Sequence, residues 1–152
     1  MKNQSLCWPV LIVVLLFAIA AVSCVGDIDT DPKNLIGRWQ MVKVVHQGKS
    51  ISKPKPRQFE SEVEMEFLKD RSIEGTLPTD VFSGSYEITD GDSIKIEGWQ
   101  FSKKGIPEWG EYFYRSFRLV TTFALKKKGL NFNYNELHLI YDEGELIFDR
   151  VK

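Results

Sequence analysis

A strict two-residue alternation runs through Glu62-Val63-Glu64-Met65-Glu66-Phe67. On an extended chain the three apolar side chains face one side and the three carboxylates the other, which is typical of a half-buried β-strand with its acidic face in water. Lys69-Asp70-Arg71 predicts a turn after this strand, and residues 73–77 predict a short returning partner. The segment therefore predicts an antiparallel sheet.

Further strands are predicted on both sides of this hairpin. Residues 39–45 are β-branched and aromatic enough for a first strand, whereas residues 46–57 contain two prolines and four basic side chains and predict a loop. Downstream, residues 84–88 read as extended, and Asp90-Gly91-Asp92 predicts a tight turn into another alternating strand. Because these connections are short, neighbouring strands are expected to lie side by side in a meander.

An aromatic-rich stretch with helical spacing follows the meander. Residues 108–121 predict a helix, since Pro107 suits its first turn and two early glutamates suit the helix dipole; a strand is the alternative. Beyond it, Lys126-Lys127-Lys128-Gly129 predicts a turn, and strands are predicted over residues 130–134, 137–141 and 146–151. The apolar residues in helical phase are Trp109, Tyr112, Phe113, Phe117 and Val120.

The composition fits one small exported domain. Of 152 residues, the first 23 read as a targeting segment with a basic start and an apolar middle. The remaining chain is long enough to bury a core. The 20 basic and 21 acidic side chains nearly balance, which argues against a nucleic-acid binder. Cys7 leaves with the targeting segment and Cys24 is the other cysteine, so no disulfide is expected.

Cys24 stands directly after the small-residue triplet Ala21-Val22-Ser23. This arrangement resembles the lipobox of bacterial lipoproteins, although Ala21 stands where leucine is usual. The apolar run over residues 10–22 is shorter than the ~20 residues that span a bilayer. The resemblance implies lipidation of Cys24 and attachment to the outer membrane, on its periplasmic or its surface-exposed face. Ordinary secretory cleavage and an uncleaved anchor helix are the alternatives.

The chain then divides into three parts. These are a lipoprotein signal peptide over residues 1–23, an acidic tether over residues 24–34 and a folded domain over residues 35–152. Asp27, Asp29 and Asp31 in the tether resemble a surface-export signal of some Gram-negative lineages. A plain soluble tether is the alternative.

Residues with structural roles follow a definite order along the domain. They are Trp39, Lys69-Asp70-Arg71, Gly75, Gly84-Ser85-Tyr86, Asp90-Gly91-Asp92, the aromatic helix and Glu145-Leu146-Ile147-Phe148. Over residues 35–151 this order resembles the META domain, a family of small exported or lipid-anchored bacterial proteins linked to stress and antibiotic tolerance. The resemblance implies an α+β, β-rich fold, an antiparallel meander or partly closed barrel with one helix packed on it. Many members carry a Cys-Asn pair where Thr79-Asp80 stands here, so no role of that pair is carried over.

Gly37-Arg38-Trp39 matches the Gly-x-Trp that opens lipocalin-like barrels. A lipocalin-like up-and-down β-barrel is therefore the alternative fold, and Trp39 would plug one end of the core in either case. The helix distinguishes the two folds. In the META-like fold it fills the core, whereas an open lipocalin-like barrel needs a ligand cavity.

No group of side chains predicts catalysis or metal binding. The glutamates of the first strand are typical of a solvated face, and the acidic residues near Gly91 lack the full ligand series of a calcium loop. His46 and His138 lie far apart without a free cysteine, and Ser83-Gly84-Ser85 lacks the nucleophile elbow of hydrolases. We therefore expect no enzymatic activity, no metal and no cofactor.

Two groups of side chains are candidates for binding. Exposed aromatic residues at a loop often contact a partner; the aromatic residues outside the helical phase or in the approach loop are Trp99, Phe101 and Tyr114. Basic residues of the predicted loop could contact anionic headgroups; they are Lys49, Lys53, Lys55 and Arg57. The sequence thus predicts a lipid-anchored, non-catalytic binding or envelope-maintenance module whose partner is a protein, a glycan or a lipid. The alternative is a lipocalin-like carrier of a small apolar ligand.

Overall fold

The computed structural model describes residues 28–55, 61–101, 106–128 and 133–152. Within these residues the strands are β1 (Ile28–Asp29), β2 (Gly37–His46), β3 (Lys49–Ser52), β4 (Glu64–Phe67), β5 (Ser72–Leu77), β6 (Asp80–Asp90), β7 (Ser93–Phe101), β8 (Thr122–Lys127), β9 (Tyr134–Tyr141) and β10 (Gly144–Arg150). The helices are α1 (Pro32–Leu35) and α2 (Glu108–Phe117).

Eight of the strands close into one antiparallel barrel. Around the ring they follow chain order, β2, β4, β5, β6, β7, β8, β9 and β10, and β10 pairs with β2 to close it. β3 folds back on β2 as an extra hairpin strand, and β1 pairs with β8. This up-and-down order is the architecture of lipocalins. The predicted fold class, a β-rich antiparallel meander or partly closed barrel with one helix packed on it, is confirmed, and the barrel is fully closed.

The contact between β7 and β8 is the shortest in the ring. Its register contains one residue pair, Ser93 with Thr122. The segment between these two strands carries α2, and Phe117 of the helix lies against Trp99 of β7 with ring centroids 4.6 Å apart. Side-chain packing by the helix therefore supplements the backbone pairing at this place in the barrel wall.

Alternating apolar side chains from the strands fill the barrel interior. In β4, Met65 and Phe67 are buried, as the alternation predicts, while Glu64 and Glu66 are partly exposed. Gly75 lies opposite Phe82 of the next strand, and a Cβ at Gly75 would come within 2.3 Å of the Phe82 ring. Glycine at this position leaves room for the ring in the core.

One end of the barrel is closed around Trp39 at the start of β2. The indole N–H donates to the carbonyl of Leu35 in α1 at 2.8 Å, and the Arg150 guanidinium lies 4.2 Å from the ring centre. Arg150 also donates to the backbone carbonyls of Asn34 and Ile36. Burial lowers the pKa of Arg150, but a guanidinium stays charged at neutral pH. Trp39 thus plugs this end of the core, as predicted.

The opposite end is closed by α2. The predicted helix is confirmed, although it ends at Phe117 rather than near residue 121, because the chain from Thr122 pairs in β8. Phe113 and Phe117 are fully buried, with their ring centroids 4.6 Å apart, and Phe113 lies 5.1 Å from Phe82. The helix therefore contributes to the core of a closed up-and-down barrel.

Two predicted connections are wrong in part. Residues 46–57 contain β3, because Gln47 and Gly48 have φ angles of 49° and 75°, the positive values that a two-residue hairpin turn needs. The lysine-rich turn predicted at residues 126–129 overlaps the end of β8, whose Phe123 and Leu125 face the core. The prolines follow the end of β3 and the lysines form the end of β8, so neither group shows that a strand is absent.

The segment expected to be an acidic tether overlaps the fold from Ile28 onward. Ile28 and Asp29 pair with β8, and Asp31 caps α1 by accepting from Lys33 N at 3.0 Å. The predicted signal peptide and Cys24 lie outside the described residues, as does most of the strand predicted over residues 130–134.

Candidate functional site

A cleft of about 340 Å³ lies between the amino end of α2 and the segment that follows β3. Its wall is mostly apolar and aromatic with a few charged side chains, and its volume lies at the lower end of the range for small-molecule sites. The lining residues are Ile51, Ser52, Lys53, Pro54, Lys55, Ser61, Glu62, Pro78, Pro107, Glu108, Trp109 and Tyr112.

Trp109 contributes a largely buried indole ring to this wall. The residue lies in the first turn of α2 and is 8% exposed. Its indole Nε1 has no hydrogen-bond partner among the described residues. Buried polar groups in native proteins are nearly always hydrogen-bonded, and an unmade bond of this kind costs about 1–3 kcal/mol. This nitrogen has almost no accessible surface, so a molecule in the cleft does not reach it.

The first turn of α2 is fixed by close packing against the turn between β5 and β6. A Cβ on Gly110 would lie 2.6 Å from Ile106 Cγ2 and 2.8 Å from Pro78 Cδ, so glycine permits this approach. Pro107 precedes the helix without a side-chain capping bond, and its carbonyl accepts from Glu111 N at 3.0 Å. The N–H groups of the first turn are therefore not capped by a side chain, and they lie at the positive end of the helix dipole.

Tyr112 forms an aromatic part of the wall one turn further along the helix. Its hydroxyl donates to Glu108 Oε1 at 3.2 Å. Desolvation of the phenol, together with this hydrogen bond, raises the pKa of Tyr112. The side chain therefore presents a neutral ring to the cleft at neutral pH.

Two of the predicted binding lysines, Lys53 and Lys55, also line the cleft. Lys53 Nζ lies 3.1 Å from Glu62 Oε1 and 3.4 Å from Gln40 Oε1, so its charge is balanced locally. Lys55 is exposed and makes no ion pair or hydrogen bond with any residue in the described part of the chain. Of the two lysines in the described lining, Lys55 is the one that a ligand can engage without breaking a described contact.

The other predicted basic residues lie elsewhere. Lys49 is exposed at the start of β3, paired with His46 near the hairpin turn, and it does not line the cleft. Arg57 lies outside the described residues. The structure therefore brings two of the four basic candidates to the site.

The predicted aromatic candidates form a separate cluster. The Phe101 ring lies 4.6 Å from Trp99 and 4.6 Å from Tyr114, measured between centroids. All three side chains are partly buried, and none of them lines the cleft. In this structure they pack β7 against the outer part of α2, and their role in binding stays a prediction.

A wider groove of about 670 Å³ crosses the outer wall over β4, β5, β6 and β7. It is more open to solvent than the cleft, and Arg38, Glu64, Glu66 and Glu74 contribute much of its lining. Among the described residues it contains no buried polar atom that lacks a partner. The cleft is more enclosed and is lined by the Trp109 and Tyr112 rings, so it is the stronger candidate for a ligand site.

Within the described ranges no group of three or more histidine, cysteine or carboxylate side chains could hold a metal ion. His138 is buried, and its ring nitrogens lie 2.7 Å from Glu145 Oε2 and 2.8 Å from Glu136 Oε1. These partners lie on β9 and β10, away from the cleft. No helix among the described residues is long and apolar enough to cross a membrane.

Sequence reasoning assigned Trp109 and Tyr112 to the core because they lie in helical phase. That phase correctly places Trp109 in the interior, but it does not show that both side chains also border a cleft. Ile51 and Pro78 come to the site from distant parts of the chain. No local pattern in the sequence predicts that they meet.

No family model and no curated protein matches the chain. Among solved structures, a protein from Burkholderia xenovorans determined by NMR has a TM-score of 0.59 at 16% identity, covering 82% of this chain and 90% of that chain. A DUF4847 family protein from Bacteroides vulgatus has a TM-score of 0.52 at 15% identity, covering 78% and 94%. A lipocalin-like protein from Bacteroides uniformis has a TM-score of 0.36 at 22% identity, covering 78% and 99%. The first two likenesses show a shared bacterial β-barrel fold, and the resemblance to the META domain stays a prediction.

Proposed function

We propose that this protein binds a small, mostly apolar molecule in the cleft at the helix-capped end of its barrel. The observation that carries the proposal is the cleft itself, whose wall is mostly apolar and includes the Trp109 and Tyr112 rings. The rings and prolines around it favour an apolar ligand body.

The packing of the barrel supports a site at its end. Phe113 and Phe117 of the helix are fully buried among the core side chains, so they occupy the space that an open barrel offers a ligand. We therefore propose that the protein carries or senses a small molecule, which it binds in the cleft beside the helix. As in the sequence analysis, we expect this binding protein to have no catalytic activity.

Shortening Tyr112 is expected to weaken ligand binding. Tyr112→Ala removes an aromatic wall of the cleft, and we expect it to lower the affinity for the apolar fluorescent probe N-phenylnaphthylamine about tenfold, the effect of roughly 1.4 kcal/mol. Fluorescence titration of the chain from residue 24 onward, which contains every described element of the fold, measures this affinity.

Tyr114→Ala is the matched control for that experiment. Tyr114 lies on the same helix but packs on Phe101 outside the cleft, so its removal is expected to leave probe affinity unchanged. Equal losses in the two variants would place the probe elsewhere, and a wild-type protein that binds no probe would contradict the proposed function. Native mass spectrometry of protein purified from its own cells adds a direct search for a co-purified molecule.

We further propose that lipid on Cys24 holds the barrel at the outer membrane, on the support of the Ala21-Val22-Ser23 triplet before it. Cys24→Ala is expected to move the protein from the membrane pellet to the soluble fraction and to abolish labelling by radioactive palmitate. Cys7→Ala is the control, because the proposed cleavage removes that residue. A Cys24→Ala variant that still pellets with membranes and still carries label would contradict the acyl anchor.

A further inference from the structure

We infer that Glu136, His138 and Glu145 form a pH-sensitive clamp across β9 and β10, which we call the His138 clamp. In its charged form the imidazole ring donates one hydrogen bond to each glutamate, and loss of a ring proton breaks one of these bonds. The clamp lies on strands that do not line the cleft, so this inference is independent of the proposed function.

His138 is buried although it faces the outside of the barrel. Its chain neighbours Leu137 and Leu139 are fully buried in the core, and side chains alternate along a strand, so His138 points away from the core. Its neighbours in register are Ala124 of β8 and Ile147 of β10, which are also buried. Because His138 is only 4% exposed, its ring nitrogens depend on protein partners rather than on water.

Both ring nitrogens of His138 lie against carboxylate oxygens. Nδ1 is 2.7 Å from Glu145 Oε2, and Nε2 is 2.8 Å from Glu136 Oε1. A neutral imidazole has one N–H group and one lone pair, so it donates to only one of these glutamates. Its lone pair would then face an ionised carboxylate at hydrogen-bond distance. An imidazolium ring donates to both glutamates, so the geometry fits the charged ring.

The ring charge has a particular partner in Glu145. The other charged side chains on this part of the outer wall are Lys43 of β2, Lys126 of β8, Lys128 and Asp149. Lys128 pairs with Asp149 at 2.8 Å and lies 3.9 Å from Glu136 Oε2. Among the described residues, Glu145 has no ion-pair partner other than His138. Without the second ring proton, the partly buried Glu145 carboxylate therefore lacks a balancing charge.

This arrangement couples the stability of the barrel to pH. The two hydrogen bonds of the charged ring exist in the folded chain and not in the unfolded chain, so they stabilise the fold while the ring holds both protons. Raising the pH through the range in which imidazoles titrate, about 5 to 8, removes one of these protons and the bond that it makes. The contribution of the clamp to stability is therefore lost as the pH rises.

Glu145→Gln tests the clamp, because an amide donates to a ring nitrogen that has lost its proton and so satisfies the neutral ring on both sides. Between about pH 5 and pH 8, the melting temperature of the wild-type chain from residue 24 onward is expected to fall by about 5 °C more than that of the variant. Circular dichroism measures both melting temperatures.

Glu143→Gln is the matched control for this variant. Glu143 lies 3.5 Å from His46, the other histidine of the chain, and its side chain is exposed. The control is expected to show the same fall in melting temperature as the wild type. Equal falls in the wild type and Glu145→Gln would overturn the clamp, as would a fall that Glu143→Gln reduces to the same extent.

NMR of the ring nitrogens locates the proton and remains informative if a variant folds poorly. In wild-type protein labelled with ¹⁵N-histidine, both ring nitrogens of His138 are expected to carry protons at about pH 5. The spectrum of His46→Gln identifies the His138 signals, since the chain has two histidines. An unprotonated His138 nitrogen at this pH would mean that a glutamate holds the proton, and the charged ring would be wrong.

Discussion

Replacing Trp39 with alanine is expected to lower the free energy of unfolding by about 4 kcal/mol, within the range for large aromatic residues in a core. Trp39 is fully buried, its indole N–H donates to Leu35 O at 2.8 Å, and Arg150 lies 4.2 Å from the ring centre. The variant leaves a cavity beneath a charged guanidinium. Urea denaturation followed by circular dichroism measures the loss.

Arg38→Ala supplies the comparison at the neighbouring position of β2. Arg38 is largely exposed and its contact with Glu66 is 3.7 Å long, so the change is expected to stay within about 0.5 kcal/mol. A loss below about 1 kcal/mol in Trp39→Ala would contradict the conclusion that Trp39 plugs this end of the core.

Phe113→Ala is expected to cost about 4 kcal/mol as well and to create a binding cavity inside the barrel. The ring is fully buried, with centroids 4.6 Å from Phe117 and 5.1 Å from Phe82. An apolar cavity of this kind stays dry and takes up benzene. Benzene added at concentrations above its dissociation constant should therefore raise the stability of the variant and leave the wild type unchanged.

Arg115→Ala on the same helix is the matched control for this second prediction. Arg115 is exposed and pairs with Glu111 at 2.6 Å across one helical turn, an interaction worth about 0.5 kcal/mol or less. If Phe113→Ala cost no more than this control, or if benzene had no effect, the helix would not fill the barrel interior as described.

Local patterns in the sequence predict those parts of the barrel in which neighbouring residues decide the structure. The alternation over residues 62–67 gives β4, and Asp90-Gly91-Asp92 gives the turn between β6 and β7. β3 was missed because Gln47-Gly48 is a weaker turn signal than the prolines that follow β3. Closure of the ring depends on β10 pairing with β2, two segments far apart in the chain, and no local pattern predicts that pairing.

The sequence predicted one component of the candidate site, its basic side chains. The basic run identified Lys53 and Lys55 as candidate binding residues, and both line the cleft. Trp109 was assigned to the core because helical phase reports which side a residue faces, not whether its polar atom finds a partner. That property depends on residues brought together by the fold, so it becomes visible only in the structure.

The attachment of β1 beside α1 and Trp39 limits how the protein can stand on a bilayer. Cys24 precedes Ile28 by four residues, so even a fully extended link reaches about 14 Å. An acyl chain on Cys24 would hold the plugged end of the barrel close to the headgroups. The helix-capped end would then point away from the lipid, and the cleft would exchange its ligand with the aqueous phase rather than with the membrane interior.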